Sequence, residues 1–153
     1  MPGRLPIQFT KLPHYAGPDE LIPATEGSVG IDLIASIPET ILLNTLGARS
    51  VIPTGICLAL PENFEAQIRP RSGLAAKFGI TLLNSPGTID SDYRGEIFAT
   101  LVNLSTNRFK VEPGMRIAQM VIAGPLPLVR FDAVDELSKT ERGTGRHGST
   151  GLF

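Results

Sequence analysis

The densest chemistry in the chain lies in Asn84-Ser85-Pro86-Gly87-Thr88-Ile89-Asp90-Ser91-Asp92-Tyr93-Arg94-Gly95-Glu96. The pattern reads as strand, turn and strand with Ser91-Asp92 at the tip. Such a hairpin brings Asp90 and Tyr93 together and exposes backbone groups. A carboxylate placed there can serve as a general base toward water. Asp90 and Asp92 would equally favour a turn through side chain-to-backbone hydrogen bonds, so the residues alone leave both readings open.

Four further stretches carry polar groups in telling contexts. In Arg69-Pro70-Arg71-Ser72-Gly73-Leu74-Ala75, two arginines lead into a helix start with Ser72 as N-cap. Free N–H groups and partial positive charge at a helix N-terminus suit phosphate, and Arg71 adds a full charge. An ordinary capped surface helix with solvated arginines has the same local sequence. In Gly27-Ser28-Val29-Gly30-Ile31-Asp32-Leu33, Asp32 interrupts an apolar strand. A buried aspartate must find backbone, an arginine or a hydrated metal as partner. In Arg116-Ile117-Ala118-Gln119-Met120-Val121, Gln119 either meets a phosphate or fills its needs within the sheet. The tail, Arg142-Gly143-Thr144-Gly145-Arg146-His147-Gly148-Ser149-Thr150-Gly151, combines glycines that can cradle an anion with Arg142, Ser149 and Thr150, and with a flat His147 ring. It lacks the G-x-x-x-x-G-K-[ST] spacing of a phosphate-binding loop, and by composition it also reads as a plain polar tail.

These groups must be positioned by short strands. The chain has 153 residues with 16 glycines and 13 prolines, a composition that excludes a helical bundle. Apolar runs at Leu5–Phe9, Val29–Ala35, Thr40–Leu43, Gly55–Leu60, Phe64–Ile68, Ile80–Leu83, Glu96–Leu104, Met115–Ala123 and Leu128–Phe131 are separated by prolines and glycines. That spacing predicts a β-sandwich or barrel. Glu96–Leu104 has apolar residues on both faces, which predicts burial on both sides by a second sheet or another subunit. One short helix is expected at Ser72–Gly79, with Leu74 and Phe78 on its buried side. One cysteine and two histidines exclude an intrachain disulfide and disfavour structural zinc. A net charge of −1 gives no bulk attraction to nucleic acid or an anionic membrane. No apolar run is long enough to span a membrane, and Met1 to Thr10 has no signal-like apolar core, so a cytoplasmic protein is expected.

Taken together and in this order, Gly27–Ala35, Arg71–Ala75, Asn84–Glu96, Arg116–Val121 and Arg142–Gly151 closely resemble the trimeric dUTPase family. The resemblance implies an all-β, jelly-roll-like barrel or sandwich subunit with one short helix, in a homotrimer with sites at subunit interfaces. It implies a barrel domain over residues 1–138 and a flexible glycine-rich lid over 139–153. It implies Mg²⁺-dependent hydrolysis of dUTP to dUMP and pyrophosphate, which keeps uracil out of DNA and supplies dUMP for thymidylate synthesis. Asp90 would activate the water that attacks the α-phosphate, and Tyr93 would lie against the deoxyribose and exclude a 2′-hydroxyl. Asn84, Thr88, Ile89 and Asp90 would read the uracil edge, with a backbone contact from Phe98. Arg71, Ser72, Gly73 and Gln119 would hold the phosphate chain, and Asp32 would orient hydration water of Mg²⁺. The tail would close over the nucleotide, with Arg142, Ser149 and Thr150 on the distal phosphates and His147 where the family usually has a base-stacking phenylalanine. Arg146 stands where the family usually has glycine. The alternatives are a dCTP deaminase of the same fold, disfavoured by the Tyr93 block and the tail, and a catalytically silent nucleotide-sensing or structural trimer.

Overall fold

The computed structural model describes residues 5–144. Among them the chain forms β1 (Gln8–Lys11), β2 (Ile31–Ile34), β3 (Ile41–Leu43), β4 (Ala48–Ala59) and β5 (Glu65–Arg69). There follow α1 (Ser72–Phe78), β6 (Ile80–Leu82), β7 (Gly87–Ile89), β8 (Glu96–Asn103), β9 (Phe109–Val111) and β10 (Arg116–Ala123). Two four-stranded antiparallel sheets, ordered β1-β4-β8-β6 and β2-β10-β5-β7, form a jelly-roll-like sandwich, with β3 and β9 as a separate pair.

The alternation read from the sequence builds the core. Ile97, Ala99 and Leu101 of β8 are fully buried, as are Ile52 and Ile56 of β4. They pack in one cluster with Leu33, Ala66, Ile68, Ile117 and Met120 of the other sheet. Each such side chain contributes ~1.5–3 kcal/mol by leaving water. The opposite face of β8 is divided. Val102 is buried, whereas Phe98 and, on the paired strand, Val51 stay exposed. Buried Asn103 closes the end of β8. Its Nδ2 donates to the Asn44 and Asn107 carbonyls at 2.7 and 2.8 Å, and its Oδ1 accepts from Ser105 N–H at 2.9 Å.

Several elements depart from expectation. Residues 84–96 do not form a hairpin: β7 pairs with β5 in one sheet, and β8 pairs with β4 and β6 in the other. The turn therefore crosses from sheet to sheet. The extended N-cap of α1 is Arg71, not Ser72, which is already helical. Gly79 ends the helix as expected, with φ 67° and its N–H on the Ala75 and Leu74 carbonyls. Leu74 is buried, but Phe78 is exposed and only tilts against Phe109, ring centroids 5.4 Å apart. Leu128–Phe131 is not a strand, because nothing among the described residues pairs with it. From 124 to 144 the chain carries no helix or strand, and Leu128, Phe131 and Leu137 are 86–93% exposed. β9 and the first half of β4, which holds Pro53, had no signal in the apolar pattern. Among the described residues no helix is long and apolar enough to cross a membrane.

Candidate functional site

Asp32, Arg71, Ser72, Gly73 and Gln119 line one open groove of about 520 Å³. Three segments far apart in sequence build it. β10 lies between β2 and β5, and its register sets Gln119 opposite both Asp32 and Arg69. Leu33 and Met120 point into the core, so Asp32 and Gln119 point out. A two-residue link, Pro70-Arg71, joins β5 to α1, which sets Arg71 and the first helical N–H groups over the same row. The N–H groups of Ser72 and Gly73 precede the first intrahelical bonds, which Leu74 and Ala75 make to the Arg71 carbonyl at 3.1 Å.

Asp32 has found arginine partners. Arg71 Nε donates to Oδ1 at 2.9 Å, and Arg116 Nη1 lies 3.5 Å from Oδ2. Arg71 Nη1 also donates to the Arg116 carbonyl at 3.2 Å, which ties the two arginines together. Arg71, assigned to phosphate by the resemblance, is thus first a partner of Asp32. The Gln119 amide is similarly engaged, donating to the Pro70 carbonyl at 2.9 Å. Its Oε1 occupies the space a Cβ on Gly30 would need, which is why glycine stands there.

Arg116 was not among the residues picked out from sequence. It is three residues from Gln119, so strict alternation would point it into the core. A register irregularity between Arg116 and Ala118 turns it outward, and the sole signal was a charge at a core-parity position.

Within the groove Arg71 balances Asp32, and Arg116, which lines the adjoining cavity with Glu20, stands 3.5 Å from Asp32, so an anion is met there by the free N–H groups at the start of α1 and by guanidinium groups at the side. Among the described residues no three His, Cys, Asp or Glu side chains gather as a metal cage. With Oδ1 of Asp32 hydrogen-bonded to Arg71 and Oδ2 ion-paired with Arg116, its remaining lone pairs suit water better than a bare cation. The donor set fits a divalent ion that arrives on phosphate and is met through its hydration shell.

The second group of expected residues lies elsewhere. β7 is an edge strand, so among the described residues no strand pairs with its outer backbone groups. Thr88 is exposed there, and the Ile89 side chain packs on the core, leaving its backbone available. The Asn84 amide lies against Gly87. Asp90 is exposed, and among the described residues its carboxylate has no hydrogen-bond or ion-pair partner. Tyr93 N–H closes the turn on the Asp90 carbonyl at 3.2 Å, and Tyr93 Oη donates to the Glu96 carbonyl at 2.8 Å. Gly95 is small because the Tyr93 ring occupies the space of a Cβ. Arg94 braces the turn through the Ser91 and Tyr93 carbonyls. Phe98 is exposed on the other sheet, with Pro53 as cross-strand neighbour.

The two groups are not brought together within one chain. Asp32, Gln119 and Arg69 form a transverse row, while Asp90 follows Ile89, the partner of Ala66. Asp90 is therefore three strands across and four residues along, ~14 Å in each direction or ~20 Å over the sheet. A general base must stand ~3 Å from its proton, or one water away. Arg142 falls in a turn closed by Gly143 N–H on the Thr140 carbonyl at 3.1 Å. His147, Ser149 and Thr150 lie outside the described residues.

The dUTPase family model matches residues 19–151. The chain is 57% identical over 142 residues to the deoxyuridine 5′-triphosphate nucleotidohydrolase of Neorickettsia sennetsu, covering 92% of this chain and 93% of that one. It is 53% identical over 148 residues to the enzyme of the same name from Rickettsia typhi, covering 95% and 97%. Among solved structures, a mutant dUTPase of Staphylococcus bacteriophage 80alpha with dUpNHpp shares the fold, with TM-score 0.83, 23% identity, and coverage of 96% and 99%. A mutant dUTPase from phage phi11 of S. aureus, described for the coordination of a structural Mg(II) ion, has TM-score 0.74 and 18% identity, covering 88% of this chain and 100% of that one.

Proposed function

We propose that this chain, which belongs to the dUTPase family, hydrolyses dUTP to dUMP and pyrophosphate. The observation that carries the reading is the groove in which Asp32 is held between Arg71 and Arg116 beside the exposed N–H groups of Ser72 and Gly73. The phosphate chain lies in that groove. It takes N–H bonds from the start of α1 and charge from the arginines, a fixed field matched to charge that grows on the leaving pyrophosphate. Gln119 keeps Pro70 in place beneath the phosphates and has a second amide N–H to offer them. Mg²⁺, when bound, offsets phosphate charge, and Asp32 holds water of its hydration shell. Asp90, exposed and without a side-chain partner among the described residues, takes the proton of the water that attacks the α-phosphate. The edge of β7 with Asn84 reads the uracil, and Phe98 adds a backbone contact. Cytosine would set a donor amino group against a donor, and the unpaired groups would reject it. Tyr93 lies against the deoxyribose.

The ~20 Å between Asp90 and the groove supports a site composed of two protomers, one supplying the groove and the other the turn. A homotrimer closes such head-to-tail contacts. The exposed apolar arm of Leu128, Phe131 and Leu137 supports it as well, since side chains so bare in one chain need cover in an assembly. The segment 139–153 serves as the lid, carrying Arg142, Ser149 and Thr150 to the distal phosphates and His147 to the base.

Pyrophosphate release measured for dUTP, dCTP, dTTP and UTP, with and without Mg²⁺, tests the reading. Release from dUTP alone, and only with Mg²⁺, is expected. Equal turnover of dCTP, or formation of a deaminated product, would overturn it.

A further inference from the structure

The turn that carries Tyr93 ends on a residue gripped from an unexpected side. Glu96 is the first residue of β8, and its side chain is only 14% exposed. Its Oε1 accepts Gly55 N–H at 2.8 Å and lies 2.8 Å from His14 Nε2. Its backbone carbonyl is the acceptor for Tyr93 Oη. One residue thus joins the Tyr93 hydroxyl, the middle of β4 and the segment that precedes β2.

That segment, residues 12–16, is docked on β4 where the β4–β8 register breaks between Pro53 and Cys57. Leu12 N–H bonds to the Gly55 carbonyl at 2.8 Å, and Ala16 N–H reaches Ser36 Oγ at 3.3 Å. Ser36 Oγ donates to the Thr54 carbonyl at 2.8 Å, and Thr54 Oγ1 to the Ile97 carbonyl at 2.6 Å. Gly55, at φ 72°, leaves no room for a Cβ against the Tyr15 backbone, 2.7 Å away. These steps combine a close backbone fit with the buried hydroxyls of Ser36 and Thr54, so the strap holds Glu96 from a fixed base. His14 lies outside the residues 19–151 that match the family model.

We infer that residues 12–16, acting through His14 and Glu96, position Tyr93 and so set the discrimination between deoxyribose and ribose. The inference rests on the reading of Tyr93 as the residue that faces the sugar. The Tyr93 ring is 41% exposed, so packing alone does not fix it. Its placement depends on the Asp90 turn and on the Glu96 carbonyl. Without the Glu96 side chain, the residue keeps its ladder partner Cys57 but loses its bonds to Gly55 and His14, so the carbonyl that accepts the Tyr93 hydroxyl is held less firmly. A ring that yields by about 1 Å makes room beside the sugar, and misplacement on that scale changes rates by up to ~10²-fold.

The test compares kcat/KM for dUTP and UTP in Glu96→Ala, Glu96→Gln, His14→Ala and Tyr93→Ala. Glu96→Ala is expected to lower the dUTP-to-UTP ratio about tenfold or more, chiefly by raising UTP turnover. Glu96→Gln keeps an acceptor for Gly55 and His14 and should hold the ratio within about twofold of the parent. His14→Ala, at a half-exposed surface position, should shift the ratio in the same direction by less. If Glu96→Ala and His14→Ala lower the melting temperature or slow both substrates alike with the ratio unchanged, the inference is overturned. Should Glu96→Ala not fold, an unchanged ratio in His14→Ala decides against it. A ratio unchanged in Tyr93→Ala would instead refute the sugar-facing reading itself, whereas a collapse in Tyr93→Ala alone would refute only the strap.

Discussion

Two inactive variants of this protein should restore each other. In one chain Asp90 stands ~20 Å over the sheet from the row of Asp32 and Gln119. A site that needs both must take them from different protomers. Asp90→Asn removes the proposed base while keeping the shape, and alone should slow dUTP hydrolysis ~10²–10⁴-fold. Arg71→Ala removes a guanidinium that bonds Asp32 at 2.9 Å, and alone should cost ~10²–10³-fold as a lost charge-stabilising donor. In a cyclic trimer of randomly mixed chains, a site works when its groove comes from an Asp90→Asn protomer and its turn from an Arg71→Ala protomer. At equal proportions that is one half times one half, so about a quarter of the sites regain full activity. The background from either variant alone is about 1% or less, so the gain is large. The assay is pyrophosphate release after the two variants are unfolded together in urea and refolded, against each refolded alone. Mixed trimers that stay at the background of the separate variants would refute the composite site and the geometric reasoning behind it.

Light scattering should give a particle three times 16.4 kDa at micromolar concentration, and a stable monomer would contradict the assembly. Truncation before Arg142 should abolish most turnover while leaving melting temperature and particle mass nearly unchanged; full activity of the shortened protein would dismiss the lid. His147→Ala should raise KM for dUTP, whereas His147→Phe should match or improve on the parent, as measured by steady-state kinetics. Gly55→Ala sets a Cβ against the Tyr15 backbone at φ 72°, where the left-handed conformation alone costs ~1–2 kcal/mol, so thermal unfolding should begin several degrees earlier.

Local pattern and long-range pairing were unequally legible before the structure. Period-two alternation identified the buried side of β5, because burial acts on each residue separately, whereas β8 read as apolar on both faces and only the face of Ile97, Ala99 and Leu101 is wholly buried within the chain. It could not say which strands pair. Residues 84–96 carry the local marks of a hairpin, yet β7 and β8 belong to different sheets, a choice made by β5 and β4 far away in sequence. Phe78 sits at the spacing for the inner face of α1, but the helix is too short and too near the surface for a second buried turn. Leu128–Phe131 shows the limit most directly. Its residues have the composition of a strand, but composition supplies no partner, and none exists among the described residues.

The site was legible in the same uneven way. Each motif could be named from its residues, since an aspartate in an apolar strand or an arginine before a helix is unusual on its own. What each does first is structural, and that was hidden. Asp32 answers to arginines 39 and 84 positions away, and the Gln119 amide answers to the carbonyl of Pro70. These bonds preset the groove before any nucleotide arrives. They also keep Arg71 occupied, so phosphate must compete with Asp32 for its guanidinium. Asp32→Asn should then have two opposed effects: a weaker hold on Arg71, freeing it for phosphate, and a lost anchor for hydrated Mg²⁺. If the clamp dominates, the variant binds dUMP and pyrophosphate more tightly without Mg²⁺. If the anchor dominates, the Mg²⁺ concentration at half-maximal rate rises. Calorimetry with product and a Mg²⁺ titration of turnover measure the two separately, and both are expected to change. No change in either would mean that the Asp32–Arg71 pair neither restrains the arginine nor serves the cation, and the proposed role of Asp32 would fall.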